Sequence, residues 1–318
     1  MKNKLSIFAA LCALAALLMS TKNVISCCRG ALTLCLELIM PSLFPFFVLS
    51  GLLNRLGLPS LLGQLLSPLA SRLFRVSGPG ASAFFIGITG GYPMGASYIA
   101  DMLEHGQVSP EEASHLLAFC NNSGPAFIVG AVGAGVFRSA GVGLLLYLVH
   151  ILSALITGVL LRPREEVSFA PCTAVPGESI KTALPEAVRQ SVVSTLNVCG
   201  FVVCFTVLTG LLDAWGLFSA LAGMIAARFG LELHFVRAAL SGVLELGSAV
   251  GAMQGLAASP LNLALAAAIL GWGGISVHFQ TAAVLADADI KTAPHFRGRL
   301  MSSVIGATLA YVLGSVFC

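Results

Sequence analysis

Long apolar runs separated by short polar stretches dominate the chain. Segments 5–21, 31–54, 111–135, 140–161, 187–212, 260–285 and 298–317 each approach the 20 or so apolar residues that a helix needs to cross a bilayer. Two further apolar stretches, 79–103 and 235–258, carry turn formers in their middles. The first has Gly87, Gly90, Gly91 and Pro93; the second has Gly242, Gly247 and Gly251 around Glu245. A turn at membrane depth is tolerated only inside protein, so both stretches are predicted to be re-entrant hairpins.

The run 111–135 is interrupted by Cys120-Asn121-Asn122-Ser123-Gly124-Pro125. Two amides, a hydroxyl, a glycine and a proline face lipid poorly, and backbone freed from helical bonding must line a cavity or lie within protein. The hexad therefore predicts a broken helix with polar groups at its break, as in many transporter sites. A second break is expected at Gly271-Trp272-Gly273-Gly274. The same order then occurs twice: long helix, short amphipathic segment, hairpin, broken helix, final helix. The predicted organisation is an all-α polytopic membrane protein with two inverted repeats. Residues 1–30 form a signal-anchor-like first span and loop, 31–161 the first repeat, 162–186 a cytoplasmic linker and 187–318 the second repeat.

Composition fits this pattern. The chain is 57% hydrophobic and 10% charged, with a mean hydropathy of +0.93, whereas soluble domains carry about 25% charged residues. No basic run suggests nucleic acid. No Cys-x-x-Cys, metal cluster, His-Glu-x-x-His or nucleophile elbow occurs, and no enzyme activity or cofactor is expected. Three spans per half invert the second half. With the N-terminus inside and the C-terminus outside, twelve of the 17 basic residues fall on the cytoplasmic side. Arg55, Arg72, Arg75, Arg162, Lys291, Arg297 and Arg299 are among them, as the positive-inside rule requires.

Ionisable groups at depth default to functional hypotheses. Glu245, at the second hairpin tip, is expected to bind solute, to carry a coupling proton, or to pin the tip by accepting backbone N–H groups. His278 and Gln280 follow the second break, and His278 could titrate near neutral pH. Thr89, Gly90, Gly91 and Tyr92 put a hydroxyl, open amides and a phenol at the first hairpin turn. Glu37 stands before Pro41 and Pro45, which are expected to kink or open that helix. Trp272 is expected at an interface or in packing, with stacking on an aromatic ligand as the other reading; a minor functional role is open to His150, and Asp287 and Asp289 are expected at a solvated helix end.

Three motifs occur in order: Pro41-Ser42-Leu43-Phe44-Pro45-Phe46-Phe47, Gly87-Ile88-Thr89-Gly90-Gly91-Tyr92-Pro93-Met94-Gly95-Ala96, and Phe119-Cys120-Asn121-Asn122-Ser123-Gly124-Pro125-Ala126-Phe127-Ile128-Val129-Gly130. Together they resemble the YlbJ family of sporulation integral membrane proteins, closely in the first half and loosely in the second. That family carries the nucleoside-recognition, or Gate, domain, which looks like part of concentrative nucleoside transporters. The resemblance implies a role in spore cortex formation and a small polar solute held by two hairpins and two unwound helices. Its positional matches are Thr89, Gly90, Gly91 and Tyr92; Asn121, Asn122 and Ser123; Glu245 and Ser248; and Ser276 with His278. Glycines at 90 and 91 depart from the polar pair that nucleoside contacts use, which bears on the solute's identity. Coupling by H+ through Glu245 or His278, or by Na+ through unwound carbonyls, is left open. So are a homo-oligomer, sporulation protein partners, and a non-transporting scaffold that keeps the gate fold.

Overall fold

A computed structural model of the chain describes residues 2–163, 177–286, 288 and 290–317. Among these residues every regular element is a helix. Helix α1 (Lys2–Met19) leads through Ser20 into α2 (Thr21–Arg55). Then come α3 (Leu58–Leu73), α4 (Gly78–Gly90) and α5 (Met94–Glu104). The broken helix follows as α6 (Pro110–Cys120) and α7 (Ala126–Val136), closed by α8 (Ala140–Leu160). Past residues 164–176 lie α9 (Ile180–Ala214), α10 (Leu217–Phe229), α11 (Leu233–Leu244) and α12 (Leu246–Met253). The chain ends with α13 (Pro260–Trp272), α14 (Gly274–Val284) and α15 (Ala293–Phe317).

Among the described residues five segments are long and apolar enough to cross a membrane: Thr21–Arg55, Ala140–Leu160, Ile180–Ala214, Pro260–Val284 and Ala293–Val316. The predicted span 111–135 is instead divided by its polar break into α6 and α7. The exposed faces read as lipid contacts. On α8, Leu144, Leu148, Leu152, Ile156 and Leu160 recur every fourth residue and are exposed, while His150, Ser153 and Thr157 are buried on the opposite face. This reverses the soluble pattern, as polar residues in membrane helices turn toward the bundle interior.

Serines set the helix starts. Ser77, Ser109, Ser139 and Ser259 each accept a hydrogen bond from the backbone N–H three residues on. Proline follows closely at 79, 110 and 260, where its missing N–H costs nothing, and each such cap contributes about 1 kcal/mol. Glu112, buried in the first turn of α6, also accepts from the Ser77 backbone N–H at 2.5 Å. It ties the start of the first hairpin to the broken helix.

Pro41 and Pro45 do not end α2. The helix opens into π-type turns over Cys35–Ile39 immediately before them, and the Ser42 hydroxyl bonds the Leu38 and Ile39 carbonyls. The opening expected there is thus present, with Glu37 exposed on the wide turns. In the linker 162–186, residues 164–176 lie outside the described residues, as do Asp287 and Asp289. Its last seven residues already belong to α9, which runs through Pro185. That end is held by ion pairs from Arg55, at the end of α2, to Glu178 at 2.8 Å and Glu186 at 3.6 Å.

Both predicted hairpins form. α4 and α5 pack together across Gly91, Tyr92 and Pro93, and α11 packs on α12 across Glu245. The first hairpin also lies hard against the broken helix. A Cβ at Gly87 would collide with the Cys120 carbonyl, the last of α6. Backbone cannot swing aside as a side chain can, so Gly87→Ala is expected to cost about 3 kcal/mol, the top of the usual range for overpacking. Gly130, with nothing within 4 Å of its Cβ position, is the control. Thermal unfolding in detergent should show a large fall in midpoint for Gly87→Ala and little change for Gly130→Ala.

Candidate functional site

Each hairpin tip is seated on a helix break, and glycine makes the approach possible. At the first break, α6 stops at Cys120 and Asn121 turns extended. Pro125 disfavours helix in the residue before it, and the chain resumes in wide turns over α7. Gly91, at the first hairpin tip, has φ +77° and lies so near that a Cβ there would stand 2.9 Å from the Gly124 nitrogen. At the second break, Gly273 and Gly274 have φ +83° and +82°, a left-handed conformation that glycine adopts at little cost. A Cβ on Gly273 would stand 3.2 Å from the Tyr92 hydroxyl, and one on Gly274 would stand 3.1 Å from the Glu245 Cα. The second break is therefore clasped by residues from both hairpin tips.

Between these parts is a cavity of about 40 Å³, room for a water or two. Its polar lining comes from Tyr92, Ser123, Glu245 and Gln280, with Gly91 and Gly124 presenting backbone. Ile39 and Leu43 of α2, Val198 and Val202 of α9, Phe127 and Val277 complete an apolar wall. Glu245 is buried, and its carboxylate accepts from the backbone N–H groups of Gly247, at 2.7 Å, and Ser248. It thus caps α12, where the helix dipole favours an anion. Among the described residues no cation pairs with it.

Of the residues proposed from sequence, Gly91, Tyr92, Ser123 and Glu245 meet at this cavity. The others lie around it. Gly90 packs on Met94. The Thr89 hydroxyl turns back to the Phe85 carbonyl at 2.8 Å. Ser248 shares a hydrogen bond with Thr206 at 2.9 Å. Asn121 is fully buried and engaged. Its Oδ1 accepts from the Ala96 N–H at 3.3 Å, and its Nδ2 donates to Thr281 at 2.9 Å and meets His295 Nε2 at 3.1 Å. Asn122 donates to the Phe119 carbonyl at 2.7 Å and accepts from Arg299 at 3.0 Å. The Ser276 hydroxyl and His278 Nε2 are buried without a hydrogen-bond partner. The His278 ring lies tilted against Trp272, at 4.4 Å, and meets His295 edge-on, at 5.0 Å. Trp272 donates to the Val243 carbonyl at 3.0 Å. His150 accepts from the Ser123 N–H at 3.1 Å and so holds the first break from α8.

Arg299 corrects the sequence reading. It is fully buried, not a cytoplasmic surface charge. Its Nη1 donates to Asn122 at 3.0 Å and to the Tyr92 hydroxyl at 3.2 Å, and its Nη2 to the Ala118 carbonyl at 3.2 Å. Tyr92 passes the chain on to the Leu270 carbonyl at 3.4 Å. One guanidinium thereby links the first break, the first hairpin tip and, through Tyr92, the last turn before the second break. No carboxylate pairs with it among the described residues. A signal was present in the sequence: His295, Arg299 and Ser302 recur at helical spacing in an apolar helix, and all three are buried.

Comparison with known proteins places these features in context. A family model described as nucleoside recognition (Gate) matches residues 36–159, which include α4 to α7 and the first break. The chain is 33% identical over 310 residues to the Bacillus subtilis sporulation integral membrane protein YlbJ, covering 90% of this chain and 76% of that protein. No solved structure matches.

Proposed function

Because this chain belongs to the family of the sporulation integral membrane protein YlbJ, we propose that it is a transporter-like protein required for spore cortex formation, moving a small polar solute by alternating access. One observation carries this reading: both hairpin tips and the first helix break line one small polar cavity that holds Glu245, and the second break is seated against Tyr92 and Glu245 beside it. Irregular backbone at membrane depth, gathered around a polar pocket, is the arrangement of secondary transporter sites. The order of elements supports two repeats. The series α2 to α8 and the series α9 to α15 each run from a 35-residue helix through an amphipathic helix, a hairpin and a broken helix to a closing helix. In this reading the halves are inverted, 31–161 against 187–318, with the N-terminus cytoplasmic. Glu245 binds the solute or carries a coupling proton, and Na+ coupling through the unwound carbonyls is the other option.

A second reading, a gate-fold scaffold for sporulation proteins, is favoured by the internal engagement of Asn121 and Asn122. It expects tolerance at the cavity and sensitivity on the surface of 162–186. A thermal-shift screen of the purified protein against nucleosides, amino acids, cortex precursors and cations separates the two. The expected result is a rise in unfolding temperature with one class, lost in Glu245→Gln and in Ser123→Ala. No shift with any class, or a shift that both variants keep, counts against the transport reading.

A further inference from the structure

The wall of the central cavity carries unspent hydrogen-bonding groups. Gln280 lines it from α14, one turn past Val277, and is 5% exposed; Ser123 lines it from the first break and is 1% exposed. Among the described residues neither the Gln280 amide nor the Ser123 hydroxyl has a hydrogen-bond partner, although the Ser123 N–H is taken by His150. A buried amide left unmet destabilises a fold, so one kept on a cavity wall marks the place of a polar guest. Glu245 adds to the supply. Its carboxylate accepts two backbone N–H groups, and a carboxylate can accept about four.

The charges around the cavity are balanced but unpaired. Tyr92 and Glu245 flank the second break, where they meet Gly273 and Gly274 in turn. Glu245 has no cation paired with it among the described residues, and Arg299, behind Tyr92, has no carboxylate. Arg299 donates to the Tyr92 hydroxyl at 3.2 Å, which uses a lone pair of that oxygen. The hydroxyl proton is left with the Leu270 carbonyl at 3.4 Å, long against the usual O–H···O distance of about 2.8 Å. Tyr92 therefore offers the cavity a proton, strengthened by the guanidinium behind it. A guest of zero net charge leaves the Glu245–Arg299 balance as it stands. A lone cation or a lone anion adds a net charge at membrane depth, where that is costly.

We infer that the cavity takes a zwitterionic group, its acid end at Tyr92 and its amine end at Glu245, with Gln280 and Ser123 fixing its orientation. The inference rests on the transport reading for its purpose and gives that reading a solute class. At about 40 Å³ the cavity is tight, so the smallest amino acid, glycine, is the probe. Its two charged halves, acetate and methylammonium, are the controls, each compared with sodium chloride at matched ionic strength. Unfolding temperature of the purified protein in detergent is followed against the concentration of each.

Glycine is expected to raise the unfolding temperature saturably, and acetate and methylammonium to leave it unchanged. Gln280→Met keeps the length of the side chain and breaks no bond within the protein. Its unfolding temperature without glycine should hold or rise, while the apparent glycine Kd weakens about ten-fold, the effect of one lost hydrogen bond to a charged group. Ser123→Ala is the second variant, with the same expectation. In Glu245→Gln the remaining charge is that of Arg299, so acetate should replace glycine as the stabilising probe. A shift with acetate or methylammonium alone, or equal shifts with all three probes, overturns the zwitterion and leaves transport standing. A glycine shift that Gln280→Met and Ser123→Ala both keep overturns the assigned site, and one that Glu245→Gln keeps overturns the balance of charges. Silence of glycine overturns the solute class; only silence across the wider screen of nucleosides, amino acids, cortex precursors and cations counts against transport itself.

Discussion

Asn122→Ala is expected to lower stability by about 3 kcal/mol, a large effect for one neutral side chain. Neutral hydrogen bonds inside membrane proteins contribute little, about 0.6 kcal/mol on average. The Asn122 bond is different because its donor is the guanidinium of Arg299, buried with no carboxylate. Removing Asn122 leaves that charge with the Tyr92 hydroxyl and the Ala118 carbonyl alone, and an under-partnered buried charge is among the most costly defects a fold can hold. The sign of the second substitution follows. Adding Arg299→Met removes the charge that Asn122 served, so the double variant should be more stable than the sum of the single effects by about 1 kcal/mol or more. Thermal unfolding of the four proteins in detergent reads the cycle. Strict additivity would mean that Asn122 and Arg299 act independently, and the linkage argued above would fail.

Glu245→Gln should abolish function while the protein still reaches the membrane. The glutamine oxygen can still accept one of the two N–H bonds that cap α12, but its NH₂ group faces the other donor. The loss to the fold is therefore partial, about 1 kcal/mol, in the range of a weakened helix cap. The loss to a site that uses a carboxylate is complete. In a strain lacking the chain, the Glu245→Gln gene should fail to restore spore formation at wild-type membrane levels. Glu245→Ala removes both cap bonds and should in addition reduce those levels. Normal spores from the Glu245→Gln gene would leave the carboxylate with only its capping role.

The legible parts of this molecule were those written in local chemistry. Glycine and proline inside apolar runs gave away both breaks and both hairpins, because nothing else explains polar backbone at that depth. Glu245 stood out for the same reason. The partners could not be read, because contact between elements leaves no local trace. Asn121 and Asn122 looked like solute ligands, but they spend their amides on the neighbouring Phe119 carbonyl and on Ala96, Thr281 and Arg299, from three other stretches of chain. Arg299 lies two residues from Arg297 near a helix start and resembled a surface charge; only the buried stripe from His295 to Ser302 marks it as internal. The start of α9 was hidden by Pro185 and a charged first turn, although Arg55 supplies the contacts that hold it.

The 35 residues of α2 and of α9 carry a further consequence. At 1.5 Å per residue each is about 52 Å long, against a hydrocarbon core of about 30 Å. Neither can be contained by the hydrocarbon core even at a tilt of about 40°. The two pack along each other and are joined by Arg55, Glu178 and Glu186 at one end, so they form one paired unit longer than the hydrocarbon core. The charged end, with Arg55, Glu178 and Glu186, is the one expected outside the hydrocarbon core. Variation in membrane thickness that tilts this pair is then felt at the central cavity, because Ile39, Leu43, Val198 and Val202 form part of its wall.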